Sequence, residues 1–365
     1  MILFLVIVLA LTAGIYTFML QTKFGSLPFG ERLGSIKASS NYSKGKFQNQ
    51  SLTPSFTEGA NFFSVLNEFL FKKKPRQKPS ITLPSVKTNL LQLRQEENTL
   101  VWMGHSSYFM QLDGKTILVD PVLSGAASPL NFTTRSFAGS DIYTTDDIPE
   151  IDFLFISHDH WDHLDHSTIK KLQPKIKTII TGLGTAAHFE RWGFKKEMII
   201  EKDWNETATL APGFSVTITP ARHFSGRTFT RNTALWTSFV FQTPAHKIYI
   251  GGDSGYDTHF KTIGNQHGPF DLAILECGQY NKNWKYIHMM PEETVQAAQD
   301  LGAKKLLAVH WGKFALSMHA WDEPVQRVYK AAAENNMHLL TPMIGEQVNI
   351  DDNAQSFLPW WQNID

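Results

Sequence analysis

The 365-residue sequence predicts an α/β protein, with sheets covered by helices, behind one N-terminal transmembrane helix. Three observations predict it. From about Leu90 onward, short apolar runs recur with turn residues between them. Helical patterns fall between several of these runs, as expected for sheets that need covering. The first twenty residues carry no charge.

Met1–Leu20 reads MILFLVIVLALTAGIYTFML. Twenty helical residues span ~30 Å, the thickness of a bilayer's hydrocarbon core. A signal peptide would begin with basic residues and end at a small-x-small cleavage site. Here the first charge is Lys23, so an uncleaved anchor is the expectation. Lys23, Arg32, Lys37, Lys44 and Lys46 follow the helix, against Glu31. By the positive-inside rule they place the following domain on the cytoplasmic face.

Residues 21–89 are expected to be a polar tether, loosely ordered, with one amphipathic and basic segment. Phe62, Leu66 and Phe69 share a helical face, and Lys72, Lys73, Lys74, Arg76 and Lys78 follow. Two readings stay open: a helix lying on an anionic membrane surface, or one packed on the main domain.

Residues 90–350 are expected to form the main folded domain, and 351–365 a C-terminal tail. TLVWMGHSSYFMQL and KTILVD flank Asp113-Gly114, a strong hairpin signal. Further strands are expected at IDFLFIS, IKTII, FSVTITP, ALWTSFVFQT, HKIYIGG, DLAILE and KKLLAVH. Helices are expected over 164–172, 184–192, 291–301 and 322–335.

The 34 basic and 34 acidic residues balance, so no general nucleic-acid binder is indicated. The single cysteine, Cys277, excludes an intrachain disulfide and reads as a small buried residue.

The chemistry centres on His158-Asp159-His160-Trp161-Asp162-His163, directly after the apolar run FLFIS. His158, His160, Asp162 and His163 cannot all face one way on a helix or strand. From a loop at a strand's end they can converge. Imidazole and carboxylate suit a divalent ion such as zinc, and this many donors can serve two. One loop cannot complete two sites. His223, Asp253 and His310 each follow an apolar strand as well, so all could gather along one sheet edge.

The order H-x-H-x-D-H, His, Gly-Asp, His is similar to the metallo-β-lactamase superfamily. Finer motifs include WMGHSSYFMQLDGKTILVDPVLSGAASP, ISHDHWDHLD, PARHFSGRT, GGDSGY, HGPFDLA, KYIHMMPEETV and AVHWGKFALSMH. Over residues 95–330 these resemble N-acyl-phosphatidylethanolamine-hydrolysing phospholipase D and its bacterial relatives. The resemblance implies an αββα sandwich with two zinc ions at the sheet edge. His158, His160 and His223 would hold the first. Asp162, His163 and His310 would hold the second, and Asp253 would bridge them. It also implies an active-site role for His288, for which a hydrogen-bonded structural histidine is the other reading. Asp165 would orient a ligand histidine or cap the helix that begins there. His105 and Asp120 would support the ligands. NWKYIHMM and FALSMHAW would line an apolar groove. A homodimer is among the assemblies the family admits.

The expected reaction is hydrolysis of a phosphodiester in a membrane phospholipid, giving an N-acylethanolamine and phosphatidic acid. Two divalent cations make water nucleophilic near neutral pH and neutralise charge on the phosphoryl oxygens. The alternative is a hydrolase of the same fold acting on a soluble lactone, cyclic phosphodiester or nucleotide. A non-catalytic protein that merely retains a metal site is disfavoured by the complete ligand set.

Overall fold

The computed structural model describes residues 1–72, 75–362 and 364; Lys73 and Lys74 of the basic run lie outside them. The N-terminal part holds helix α1 (Ile2–Met19), α2 (Gly30–Ala38), a small hairpin β1 (Tyr42–Ser43) and β2 (Lys46–Phe47), and α3 (Phe62–Phe71). The first half of the domain follows with β3 (Thr99–Trp102), β4 (Tyr108–Leu112), β5 (Lys115–Val119), β6 (Ile151–Ile156), α4 (His166–Leu172), β7 (Ile176–Gly182), α5 (Ala186–Arg191) and β8 (Ile199–Lys202). The second half holds β9 (Thr207–Ala211), β10 (Phe214–Thr219), β11 (Ser238–Gln242), β12 (Lys247–Ile250), α6 (His259–His267), β13 (Leu272–Glu276), α7 (Pro291–Asp300), β14 (Lys305–Val309), α8 (Glu323–Glu334), β15 (His338–Leu340) and β16 (Gln347–Asn349).

Two seven-stranded sheets result, ordered β16-β3-β4-β5-β6-β7-β8 and β15-β14-β13-β12-β11-β10-β9. Each is antiparallel at one end and parallel at the other. Parallel strands need crossovers, and the helices supply several of them. The side-chain period of two then sorts β6 between layers. Phe153 and Phe155 face the second sheet, where Phe155 meets the Phe239 ring at 5.1 Å. Leu154 and Ile156 face outward onto Ile169 and Leu172 of α4 and Phe189 of α5. A strand buried on both faces reads as one unbroken apolar run. Helices α7 and α8 cover the second sheet, completing four layers. The Asp113-Gly114 turn joins β4 and β5 with both residues at positive φ (47° and 76°), pairing Leu112 with Lys115. A two-residue turn of that conformation matches strand twist.

The expected strand at ALWTSFVFQT begins only at Ser238; Ala234–Thr237 is a buried loop entering β11. The short strands β8, β9 and β15, and helix α6, were not expected.

Two expectations need correction. The polar arm is not loosely ordered. Ile36, Phe47 and Leu83 are buried in the main core, and Arg32 pairs with Glu190 at 2.6 Å and Glu201 at 2.8 Å. These apolar residues stand singly in a polar stretch, without a period to reveal them. The C-terminal residues are not a separate tail either. Trp360 stacks on Trp311 at 5.3 Å, and Trp361 is fully buried.

Helix α1 buries none of its residues and is long and apolar enough to cross a membrane. Helix α3 also buries none, although Asn61 and Ser64 cap it reciprocally. On its apolar face Phe62, Leu66 and Phe69 are 59%, 39% and 45% exposed, while Glu68 accepts from Asn283 Nδ2 at 2.9 Å, so α3 touches the domain and leaves that face partly exposed.

Candidate metal centre

Strand ends deliver the site. His105 follows β3, His158 to His163 follow β6, His223 follows β10, Asp253 follows β12, Glu276 ends β13 and His310 follows β14. All seven residues expected as ligands come together. His158, His160, His223 and Asp253 place one donor atom each within 4.8 Å of one another. Asp162, His163 and His310 do the same, joined by His105. Asp253 lies between the groups. Its Oδ2 is 3.2 Å from His163 Nε2, 3.7 Å from His223 Nε2 and 3.8 Å from His158 Nε2. Its Oδ1 is 3.2 Å from His310 Nδ1.

Backbone geometry supports this convergence. His105, Asp120 and His310 hold positive φ (53°, 42° and 70°), a conformation uncommon for non-glycine residues and here found at three buried positions of the site. Gly252, at φ 60°, precedes Asp253; a Cβ there would lie 2.8 Å from Ser157 Cβ and from the Thr237 carbonyl. The Gly-Asp pair is therefore a steric requirement of the site.

A layer of partners orients the rings. Ser157 Oγ lies 3.0 Å from His158 Nδ1 and donates to Asp120 Oδ2 at 2.6 Å. Asp120 Oδ2 also faces His163 Nδ1 at 2.8 Å. His105 Nε2 meets Asp162 Oδ2 at 3.0 Å, and Ser106 Oγ meets His310 Nδ1 at 2.8 Å. His223 Nδ1 donates to the Ile287 carbonyl at 2.8 Å. Asn49, from the N-terminal arm, holds the His223 backbone at both ends: Nδ2 donates to its carbonyl and Oδ1 accepts its N–H. His105 and Asp120 thus support other site residues, as the resemblance implied. Asp165 accepts from Ser167 N and Thr168 Oγ1, so of its two readings the helix cap holds.

Electrostatics follow from burial. Burial, then neighbouring imidazoles, pull His158 and His310 well below the ordinary histidine range; burial and then His288 and His160 do so for His223. Burial opposes charge on His163, but Asp253, Asp162 and Asp120 raise its pKa well above the usual value. Burial pushes Asp253 up to about 6 against the pull of His163. His163 Nε2 and Asp253 Oδ1 are buried without a hydrogen-bond partner. Leaving such atoms unsatisfied is costly, and a cation between them would satisfy both. With His158, His223 and His310 held neutral beside carboxylates, the donor set suits a divalent ion of the zinc type.

Above these groups lies a cavity of about 570 Å³. His160, Asp162, His223, Asp253, His288 and His310 form its polar floor. Phe56, Phe62, Phe224, Trp284, Ile287 and Leu316 supply apolar walls. The two motifs expected to line an apolar groove do contribute, through Trp284, Ile287 and Leu316. Met289 is core, and buried Cys277 is held in its thiol form by burial. His288 Nδ1 lies 2.7 Å from Glu276 Oε2. Sequence reasoning missed Glu276, although its place at the end of an apolar strand is the same signal that marked Asp253 and His310. It also missed the arm: Lys46, Asn49, Thr53, Ser55 and Phe56 form one side of the cavity.

Residues 115–311 match the β-lactamase superfamily domain. The chain is similar to an uncharacterised protein of Mycobacterium tuberculosis, 36% identical over 362 residues, covering 97% of this chain and 96% of that protein. It is also similar to N-acyl-phosphatidylethanolamine-hydrolyzing phospholipase D 1 of Caenorhabditis elegans, 33% identical over 233 residues, 59% of this chain and 64% of that protein. Among solved structures, a metallo hydrolase of Ignicoccus hospitalis superposes with a TM-score of 0.55 at 20% identity, over 69% of this chain and 97% of that one. The chain belongs to the β-lactamase superfamily and is a metal-dependent hydrolase of the metallo-β-lactamase fold.

Proposed function

We propose that this chain hydrolyses the phosphodiester of a membrane phospholipid, with N-acyl-phosphatidylethanolamine as the leading substrate. One observation carries the reading: a single cavity joins a histidine–aspartate floor to aromatic and aliphatic walls. A phosphodiester with attached acyl chains needs both. The relatives named for this lipid support it, as do the exposed apolar helix α1 and the exposed aromatic helix α3, whose first residue, Phe62, lines the cavity. Helix α1 then serves as a membrane anchor, with the domain on the cytoplasmic face, where its trailing basic residues belong.

In this reading His158, His160 and His223 would hold one divalent cation, zinc being the best fit, and Asp162, His163 and His310 would hold a second, with Asp253 shared between the two groups. When bound, the pair supplies a nucleophilic water and charge neutralisation at the phosphoryl oxygens. His105, Ser106, Ser157 and Asp120 keep the ligand rings in register. Glu276 orients His288 so that its free edge faces the cavity, where it positions a phosphate oxygen or the departing alkoxide.

The test is release of N-acylethanolamine from N-acyl-phosphatidylethanolamine in mixed micelles, with zinc-loaded and chelator-stripped full-length protein. Zinc-dependent release supports the reading. No release from a protein holding about two ions per chain would overturn the lipid substrate and favour a soluble phosphodiester or lactone. Asp253→Ala should lower turnover on the order of 10³-fold, with its circular dichroism unchanged. Turnover surviving in that variant would overturn the two-cation mechanism.

A further inference from the structure

Arg227 lies four residues after His223 and is buried. Its Nη1 donates to the carbonyls of Asp159 at 2.9 Å and Leu164 at 2.6 Å, which bracket the turn carrying His160, Asp162 and His163. From Nη2 and Nε it donates to the carbonyl of Lys23 at 3.0 and 3.3 Å. The guanidinium carbon sits 3.9 Å from the Trp161 ring centroid. The Trp161 ring also meets Phe24 at 5.2 Å, edge to face. A guanidinium donates in a fixed plane and stacks on the indole at the same time; an ammonium offers no plane to stack.

The same stretch of chain makes further fixed contacts. Trp192 Nε1 donates to the Thr22 carbonyl at 2.7 Å, and Arg191 Nη2 to the Leu20 carbonyl at 3.0 Å. Ser26 N donates to His188 Nδ1, and His188 Nε2 lies 3.2 Å from Asp159 Oδ2. A flexible tether needs none of these bonds. Trp161 stands between two residues of the cavity floor, yet does not line the cavity itself. Its indole is instead held by Phe24 and Arg227, which sets the direction of the flanking side chains.

We propose that Arg227 is a positioning residue that clamps the 158–163 loop, and that the segment Gln21–Ser26 is the other half of the clamp. The geometry of the metal centre is thereby coupled to the seating of the chain that leaves the apolar helix. The inference rests on reading that loop as metal-holding.

The test uses the full-length chain in detergent micelles, as wild type, Arg227→Lys, Phe24→Ala and Phe24→Leu. Amide hydrogen exchange is followed in metal-stripped protein. Initial rates are followed in zinc-loaded protein with bis-para-nitrophenyl phosphate, a soluble probe. Arg227→Lys and Phe24→Ala should speed exchange in 158–164 while β13 and β14 stay protected. They should lower kcat by ~10–100-fold with KM little changed, because small misplacements of reacting groups cost about that much. Phe24→Leu should recover most of the loss. Should Arg227→Lys fail to fold, Phe24→Ala still decides. Wild-type exchange and kcat in Phe24→Ala would overturn the clamp, as would exchange rising equally in β13 and β14. A wild-type chain that takes up no zinc would sink the metal reading, whereas the exchange pattern would still judge the clamp.

Discussion

Glu276 is fully buried at the end of β13, accepts the Ser254 N–H at 2.7 Å and holds His288 by its other oxygen. Burial raises its pKa well above the usual carboxylate value and lowers that of His288. Glu276→Gln keeps the shape and removes the carboxylate. Turnover should fall ~10–100-fold with metal content retained, a typical cost for losing an orienting partner. Full activity would show that His288 needs no such partner. His259 tests the pH response. It is buried against Ser254 Oγ at 3.2 Å, and burial pulls its pKa to about 4. The unfolded chain binds this proton near 6.5 and the folded chain only near 4. Its stability contribution is therefore complete above about 6.5 and is lost as pH falls toward 4, by ~3 kcal/mol. In the metal-stripped protein, His259→Gln should flatten the fall of Tm between those two pH values in scanning calorimetry. An unchanged slope would assign the acid sensitivity elsewhere. At this scale the sequence was legible where donors cluster or follow strands, as at His158–His163 and His310. The family resemblance supplied the grouping of the donors; spacing alone was silent on which of them meet. Trp161 illustrates this: its partners Phe24 and Arg227 lie 137 and 66 positions away.

Elements were readable where a period ran long enough. The Asp113-Gly114 hairpin and helices α4, α5, α7 and α8 fall within a few residues of expectation. The strands β8, β9 and β15 are three to five residues long and carry too few apolar positions to show a period. Helix α6 was hidden by Gly264, which sits where α6 meets the α7 end; a Cβ there would come within 2.0 Å of the Asp300 carbonyl. The arm was the largest misreading, and its energetics are testable. Phe47, at the end of β2, is fully buried and meets Tyr42 at 5.1 Å. Phe47→Ala should cost ~3–5 kcal/mol in urea unfolding of the full chain, as for other buried aromatic truncations. A cost below ~1 kcal/mol, the scale of surface substitutions, would make the arm a detachable strap.

For the whole molecule, the metal centre joins loops from both sheets, so metal should act as a global brace. Chelation should abolish hydrolysis and lower Tm, with both recovered on adding zinc. At free metal a thousandfold above Kd the linkage is worth ~4 kcal/mol. Loss of activity with an unshifted Tm would mean that the ions bind too weakly to brace the fold. By itself the sequence determined the fold class, the apolar N-terminal helix and the residue types at the strand ends. These depend on local periodicity and on short spacings, which survive in one dimension. Only the tertiary structure decided that Asp253 stands between two donor groups, that Asp165 caps a helix and that Glu276 backs His288. It also decided that the polar arm and the last tryptophans belong to the domain. Those outcomes depend on contacts between residues far apart in the chain, set by packing two sheets face to face. No local pattern encodes which isolated Phe, Asn or Trp finds its place there.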